Sequence, residues 1–266
     1  MPSPEAAIGI FDSGVGGLTV FRRVAEYLPA ESIIYLGDTA RVPYGTKSAD
    51  TVIRYARACA DMLLACGVKM LVVACNTASA YALDALRENV SVPVVGVVSP
   101  GAAAAVRTTR NDRIGVIGTA GTIASRQYTK AIQALAPDAQ VFSKACPLFV
   151  PLAEEGWTDG DVPRRVAREY LADFVDHEID TLVLGCTHYP LLKPVIAENI
   201  GAGVTLIDSA EATAAVVRDM IGECGAAPEK NKPAYRFLVS DSPDGFARVG
   251  KNFLGCHIEH VEWIDC

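Results

Sequence analysis

Two cysteines offer the most legible chemistry in this 266-residue chain. Cys75 follows the run Met70-Leu-Val-Val73 after a single alanine, and Cys186 follows Thr181-Leu-Val-Leu184 after a single glycine. Short apolar runs of this kind read as buried strands, so each cysteine falls at a strand's carboxyl end. There the following helix presents unpaired N–H groups and the positive end of its dipole, which favours a thiolate over the ordinary thiol pKa of about 8.5. One such cysteine alone reads more readily as a small core residue. Two at equivalent places call for a reaction that uses both.

Disulfide redox chemistry usually brings a Cys-x-x-Cys motif, which is absent. Nucleophilic catalysis needs one thiol and a base; Cys186-x-His188 supplies such a pair but leaves Cys75 without a task. Inversion at a carbon centre needs a base on one face and an acid on the other. With each sulfur about 3–3.5 Å from the carbon, the two would stand roughly 6–7 Å apart with the substrate between them.

The elements that must position them come from a repeat. Ile8-Gly-Ile-Phe-Asp-Ser-Gly is echoed by Ile114-Gly-Val-Ile-Gly-Thr-Ala-Gly, and Leu71-Val-Val-Ala-Cys-Asn-Thr by Leu182-Val-Leu-Gly-Cys-Thr-His, at offsets of 106 and 111 residues. Strand-like runs at Ile33–Leu36, Val92–Val95, Val204–Ile207 and Tyr235–Val239 alternate with helical periodicity. The clearest helix is Thr51 to Cys66, with Gly67 as its stop. The expectation is an α/β protein of two similar domains, with largely parallel sheets, related by pseudo-two-fold symmetry and with the active site in the cleft between them. Ser99-Pro100-Gly101 marks a break, which gives a first domain of residues 1–98 plus 210–266 and a second of 99–209, the tail folding back on the first.

Composition narrows the functions. The net charge of −7, from 24 Lys+Arg against 31 Asp+Glu, leaves no basic stripe for nucleic acid or an anionic membrane surface, and 50% hydrophobic residues exclude disorder as a theme. The most apolar stretch, Val90 to Val106, is broken by Pro93, Ser99 and Pro100 and falls short of a span of about 20 residues. The start, Met1-Pro-Ser-Pro-Glu, has neither the basic nor the apolar region of an export signal, so the protein is expected in the cytoplasm with its eight cysteines as free thiols. Gly14-x-Gly16-Gly17 lacks the ending of a phosphate loop, and Cys186-x-His188 and Cys256-His257-x-x-His260 lack zinc spacing, so no metal is expected. Read alone, Asp12 is also a turn or helix cap, and Glu154 beside Glu155 an exposed helix end.

Four segments, Ile10-Phe-Asp-Ser-Gly-Val-Gly-Gly17, Gly37-Asp-Thr-Ala-Arg-Val-Pro-Tyr-Gly45, Val73-Ala-Cys-Asn-Thr-Ala-Ser79 and Leu184-Gly-Cys-Thr-His-Tyr-Pro190, resemble the glutamate racemases of the aspartate/glutamate racemase superfamily. The similarity runs from about Ile8 to the C-terminus. It implies cofactor-independent interconversion of L- and D-glutamate, feeding peptidoglycan synthesis. By that resemblance Cys75 and Cys186 are the two acid/bases, the first acting on D-glutamate and the second on L-glutamate. Asp12 and Ser13 would contact the amino group; Tyr44, Gly45, Asn76, Thr77, Thr187 and His188 would serve the carboxylates. Glu154 and His188 would tune the Cys186 side, and Thr119 and Thr122 match a threonine turn near the substrate. The resemblance also implies a homodimer, and some relatives restrain DNA gyrase. Racemization of another amino acid, a two-domain ligand sensor without turnover and a cysteine hydrolase are the competing readings.

Overall fold

Ten strands among the described residues arrange the chain into two parallel sheets. The computed structural model describes residues 3–227 and 232–265. The strands are β1 (Ile8–Asp12), β2 (Ile33–Gly37), β3 (Met70–Val73), β4 (Val94–Gly96), β5 (Arg113–Gly118), β6 (Gln140–Ala145), β7 (Thr181–Gly185), β8 (Thr205–Asp208), β9 (Tyr235–Val239) and β10 (Glu262–Trp263). The first sheet runs β10-β9-β2-β1-β3-β4 and the second β6-β5-β7-β8, with every pairing parallel. Within the first, β2-β1-β3-β4 has the same order as the whole of the second. The sequence echoes therefore pair β1 with β5 and β3 with β7, and put Cys75 and Cys186 after corresponding strands.

Helices cover both faces, so β1, β2 and β3 are buried at every residue, as their continuous apolar runs require. The helix Ala49–Ala65 shows how local sequence sets an element. The Ser48 side chain accepts the Thr51 N–H at its start, Val52, Ala56, Cys59 and Leu63 form its buried stripe, and Gly67 at φ +77° ends it. Among the described residues no helix is long and apolar enough to cross a membrane. Cys66, Cys75, Cys146, Cys186 and Cys256 form no disulfide; Cys266 lies outside the described residues.

Three features differ from the sequence reading. Ser99-Pro100-Gly101 is no break but part of the first turn of the helix Val98–Thr108, where a proline's missing N–H costs nothing. β4 starts two residues later than expected, at Val94, because Pro93 has no N–H to donate and joins β3 only through its carbonyl, which accepts from Leu71 N. β6 and β10 were not expected: β6 is a half-exposed edge strand without an apolar run, and β10 has two residues.

The segment after residue 210 returns to the first sheet, β9 pairing with β2 in register Ile33↔Tyr235 to Gly37↔Val239. It also fastens the loop that follows β2. Ser240 Oγ donates to Asp38 Oδ1 at 2.9 Å and accepts Ala40 N–H at 3.0 Å, while Thr39 Oγ1 donates to Asp241 O at 2.5 Å and accepts Asp241 N–H at 2.8 Å. Behind this loop Tyr35 packs against Phe21, Phe237 and Phe246 and donates its hydroxyl to Gly14 O at 2.8 Å.

Candidate active site

Both cysteines open onto one cavity of ≈180 Å³ between the two sheets. Cys75 is the N-cap of the helix Asn76–Asn89, and Cys186 follows β7 directly. The cavity wall also includes Ser13, Tyr44, Gly45, Asn76, Thr77, Thr187, His188 and Glu154, so the structure brings together ten of the eleven residues to which the resemblance gives a catalytic, substrate-contact or tuning role. The exception is Asp12. It lies beneath the Ser13 turn, fully buried, with Oδ2 accepting the Gly14 N–H at 3.0 Å and Oδ1 without a hydrogen bond among the described residues. Burial pushes its carboxyl up, against the opposing pull of His188 and the Gly14 N–H.

The two sulfurs have different surroundings. Cys75 donates to Ser13 Oγ at 3.7 Å. Its thiol is pushed up to about 12, first by burial and then by the Asp12 charge; the Ala78 N–H and the Ser13 hydroxyl offset only part of this, and the Cys186 charge adds to the rise. Cys75 is therefore a protonated thiol at neutral pH. Cys186 Sγ stands 3.8 Å from His188 Nδ1, and His188 Nε2 stands 2.9 Å from Glu154 Oε1. Burial pulls His188 down, but the Cys186 and Glu154 contacts together outweigh it and hold the imidazole up to about 10. Cys186 therefore faces an imidazolium at neutral pH.

Around the sulfurs, donors converge from both halves. The hydroxyls of Thr77, Thr119 and Thr122 form a triangle with sides of 2.8, 3.1 and 3.0 Å, so the threonine turn of the second half meets the helix N-terminus of the first. The Tyr44-Gly45 loop closes over this triangle, and a Cβ at Gly45 would lie 2.6 Å from Thr119 Cβ. Tyr44 is anchored through its hydroxyl to Asp38, which Arg41 Nε also holds at 2.7 and 2.8 Å. An apolar side of the wall comes from Val42, Pro43, Pro147, Val150 and Pro151; the first two lie in the Gly37–Gly45 motif, and the other three carry no signature in the sequence. The His188–Glu154 contact spans 34 positions, so no local pattern announces it.

One expected result follows from the His188 contacts. Glu154→Gln removes a charge that helps His188 keep its proton, so the imidazolium is lost at lower pH. The alkaline limb of kcat/KM is expected to move acidward in a pH–rate profile, modestly because Glu154 is 42% exposed, with the acid limb in place. An unmoved alkaline limb would separate Glu154 from the Cys186 side.

The chain matches the Asp/Glu/Hydantoin racemase family over residues 8–217. It is 57% identical to the glutamate racemase of Geobacter metallireducens over 254 residues, covering 95% of this chain and 94% of that one. The crystal structure of a glutamate racemase from Bacillus anthracis superposes with a TM-score of 0.95 at 41% identity, covering 99% of this chain and 98% of that one. That of Francisella tularensis glutamate racemase in complex with D-glutamate gives 0.93 at 39% identity, with the same coverage. With more than half of its length matched by the family and nearly all of it shared with these relatives, the chain belongs to the Asp/Glu/Hydantoin racemase family, among its glutamate racemases.

Proposed function

We propose that this racemase inverts the α-carbon of glutamate between the sulfurs of Cys75 and Cys186 without a cofactor. The observation that carries the reading is that two cysteines on corresponding strands of a repeated unit line one cavity. The family resemblance implies the substrate, and the relative bound to D-glutamate supports it.

The Cα proton of an amino acid is poorly acidic, so the site must stabilise negative charge developing toward the α-carboxylate. Asn76-Thr77 and Thr187-His188 supply donors at strand-to-helix turns, Tyr44-Gly45 adds polar groups, and Ser13, with the Asp12 charge buried beneath it, takes the ammonium group. With Cys75 a thiol and Cys186 beside an imidazolium, the resting site is set to remove the proton of L-glutamate at Cys186 and to protonate the opposite face from Cys75. The reverse direction requires a Cys75 thiolate. The substrate ammonium at Ser13, above the buried Asp12, offsets the negative charge that raises Cys75, so binding itself prepares the second base.

The same reading divides the chain into residues 1–98 with 210–266 and residues 99–209, one on each side of the cleft. It puts the protein in the cytoplasm, where D-glutamate enters peptidoglycan synthesis, as a homodimer. An effect on DNA gyrase rests on resemblance alone. The test is incubation of purified protein, treated with chelator and freed of small molecules, with L-glutamate in D₂O. Optical rotation should decay as deuterium enters the α-position. Intact protein that neither exchanges nor inverts glutamate, yet turns over another amino acid, would move the substrate assignment; no turnover of any would leave a binding protein.

A further inference from the structure

Asn76 lies next to Cys75 in the cavity wall, and only one end of its side-chain amide is satisfied. Oδ1 accepts the hydroxyl of Tyr128 at 2.7 Å, while Nδ2 is buried with no hydrogen bond among the described residues. Tyr128 comes from the other half of the molecule, on the helix Gln127–Leu135, and is 2% exposed. Its ring fits a slot between two glycines. A Cβ at Gly185, the residue before Cys186, would lie 3.1 Å from Tyr128 Cε2, and one at Gly101 would lie 3.2 Å from its hydroxyl oxygen. Tyr128 therefore touches the neighbour of each cysteine from behind the cavity. The Ser209 side chain is a second hydrogen-bonding neighbour of the same hydroxyl, whose proton goes to Asn76 Oδ1.

An asparagine amide presents a donor or an acceptor depending on which way it is turned. With Oδ1 held at the back, Nδ2 is the end left for the cavity, and a carboxylate is an acceptor-only group that needs such a donor. Turned the other way, Oδ1 would meet a carboxylate as acceptor against acceptor. We propose that Tyr128 is a positioning residue that fixes the Asn76 amide with Nδ2 toward the substrate carboxylate. The assignment deepens the racemase reading and rests on it for its kinetic test.

Tyr128→Phe keeps the ring in its slot and removes only the hydroxyl. The Asn76 amide is then free to turn, and KM is expected to rise about tenfold for both enantiomers while kcat falls by less than about threefold, because the loss is in binding. In an Asn76→Ala background the same substitution should change kcat/KM by less than about twofold, since its route of action is gone. Unchanged KM in Tyr128→Phe, a loss confined to kcat, or a full loss persisting in the Asn76→Ala background would each overturn the assignment.

Thermal melting tests the pair without any turnover. Tyr128→Phe strands a buried acceptor and should lower the melting temperature, and Asn76→Ala should erase that difference by removing the acceptor. If Tyr128→Phe fails to fold alone, recovery of a folded Tyr128→Phe/Asn76→Ala protein supports the pairing, and continued failure to fold overturns it. A wild-type protein that does not racemise glutamate while the melting cycle shows coupling would sink the functional reading and leave the pair standing.

Discussion

Cys75→Ser and Cys186→Ser are each expected to lower kcat/KM for racemization by about 10²–10⁴-fold. Serine preserves the approximate size of the side chain, but its hydroxyl neither holds an anion as a base nor gives up a proton as readily as a thiol. The loss must be equal in the two directions, because the enantiomers have equal free energy in water and the ratio of their kcat/KM values is fixed. Both cysteines are buried at about the same level, 6% and 5% exposed, so the melting temperature should change little and similarly in the two variants. Individual steps should still separate. With Cys186 intact, Cys75→Ser keeps the base for L-glutamate and is expected to retain some α-deuterium exchange on that enantiomer, while Cys186→Ser retains it on D-glutamate only. Near-wild-type turnover by either variant would end the two-thiol mechanism. Indifference to Cys75→Ser, together with a covalent acyl intermediate on Cys186, would instead support a cysteine hydrolase.

Gly16→Ala is expected to be nearly as damaging, although Gly16 has no chemistry of its own. A Cβ there would lie 2.3 Å from Thr187 Oγ1 and 2.5 Å from His188 Cε1 and Nδ1, so the floor of the cleft closes only because this side chain is absent. Thr19, one turn on, ties the same place together by donating to Gly16 O at 2.9 Å and Thr187 O at 3.1 Å. Forcing Thr187 and His188 away moves the imidazole from Cys186 by a large fraction of an ångström, which is worth about 10²-fold in rate. Overpacking should cost about 1–3 kcal/mol of stability as well. Gly222→Ala is the control: nothing lies within 4 Å of a Cβ there, and an alanine inside the helix Ser209–Cys224 should leave activity unchanged and stabilise slightly. Normal kinetics and melting in Gly16→Ala would show that the two halves are held apart more loosely than this contact implies.

Much of this site was legible because the repeat fixes where strands end. The runs at Ile8, Ile33, Met70, Ile114 and Thr181 are apolar and buried on both faces, the pattern that distinguishes a central parallel strand, and their carboxyl ends carry Ser13, Cys75 and Cys186. β6 escaped because an edge strand buries too little to demand an apolar run: Gln140-Val-Phe-Ser-Lys-Ala145 is nowhere fully buried. Three parts of the site depend on tertiary contact and leave no local trace. His188 finds Glu154 on the helix Phe149–Glu154, Thr77 finds Thr119 and Thr122, and Asn76 finds Tyr128 across the cleft. Asp12 was named from sequence as a contact of the substrate's amino group; its full burial beneath Ser13 places its charge close to Cys75 and His188 instead of in the cavity wall.

The order in which the chain is made gives the C-terminal fastening a further meaning. β5 to β8 lie in one unbroken stretch and have all left the ribosome before β9 and β10, so the second sheet can pair while the first still lacks two strands. Until Ser240 and Asp241 emerge, Asp38, Thr39 and Ala40 lack their fastening to the C-terminal segment, and the Tyr44-Gly45 loop that Asp38 anchors rests on an incomplete base. A chain halted at residue 230 is expected to show amide-exchange protection in β5 and β7 yet no racemization, and turnover by it would show that the loop closes unaided. The cavity's lid is thus completed by the last strands to be translated, and a nascent copy stays catalytically silent until its synthesis is nearly done.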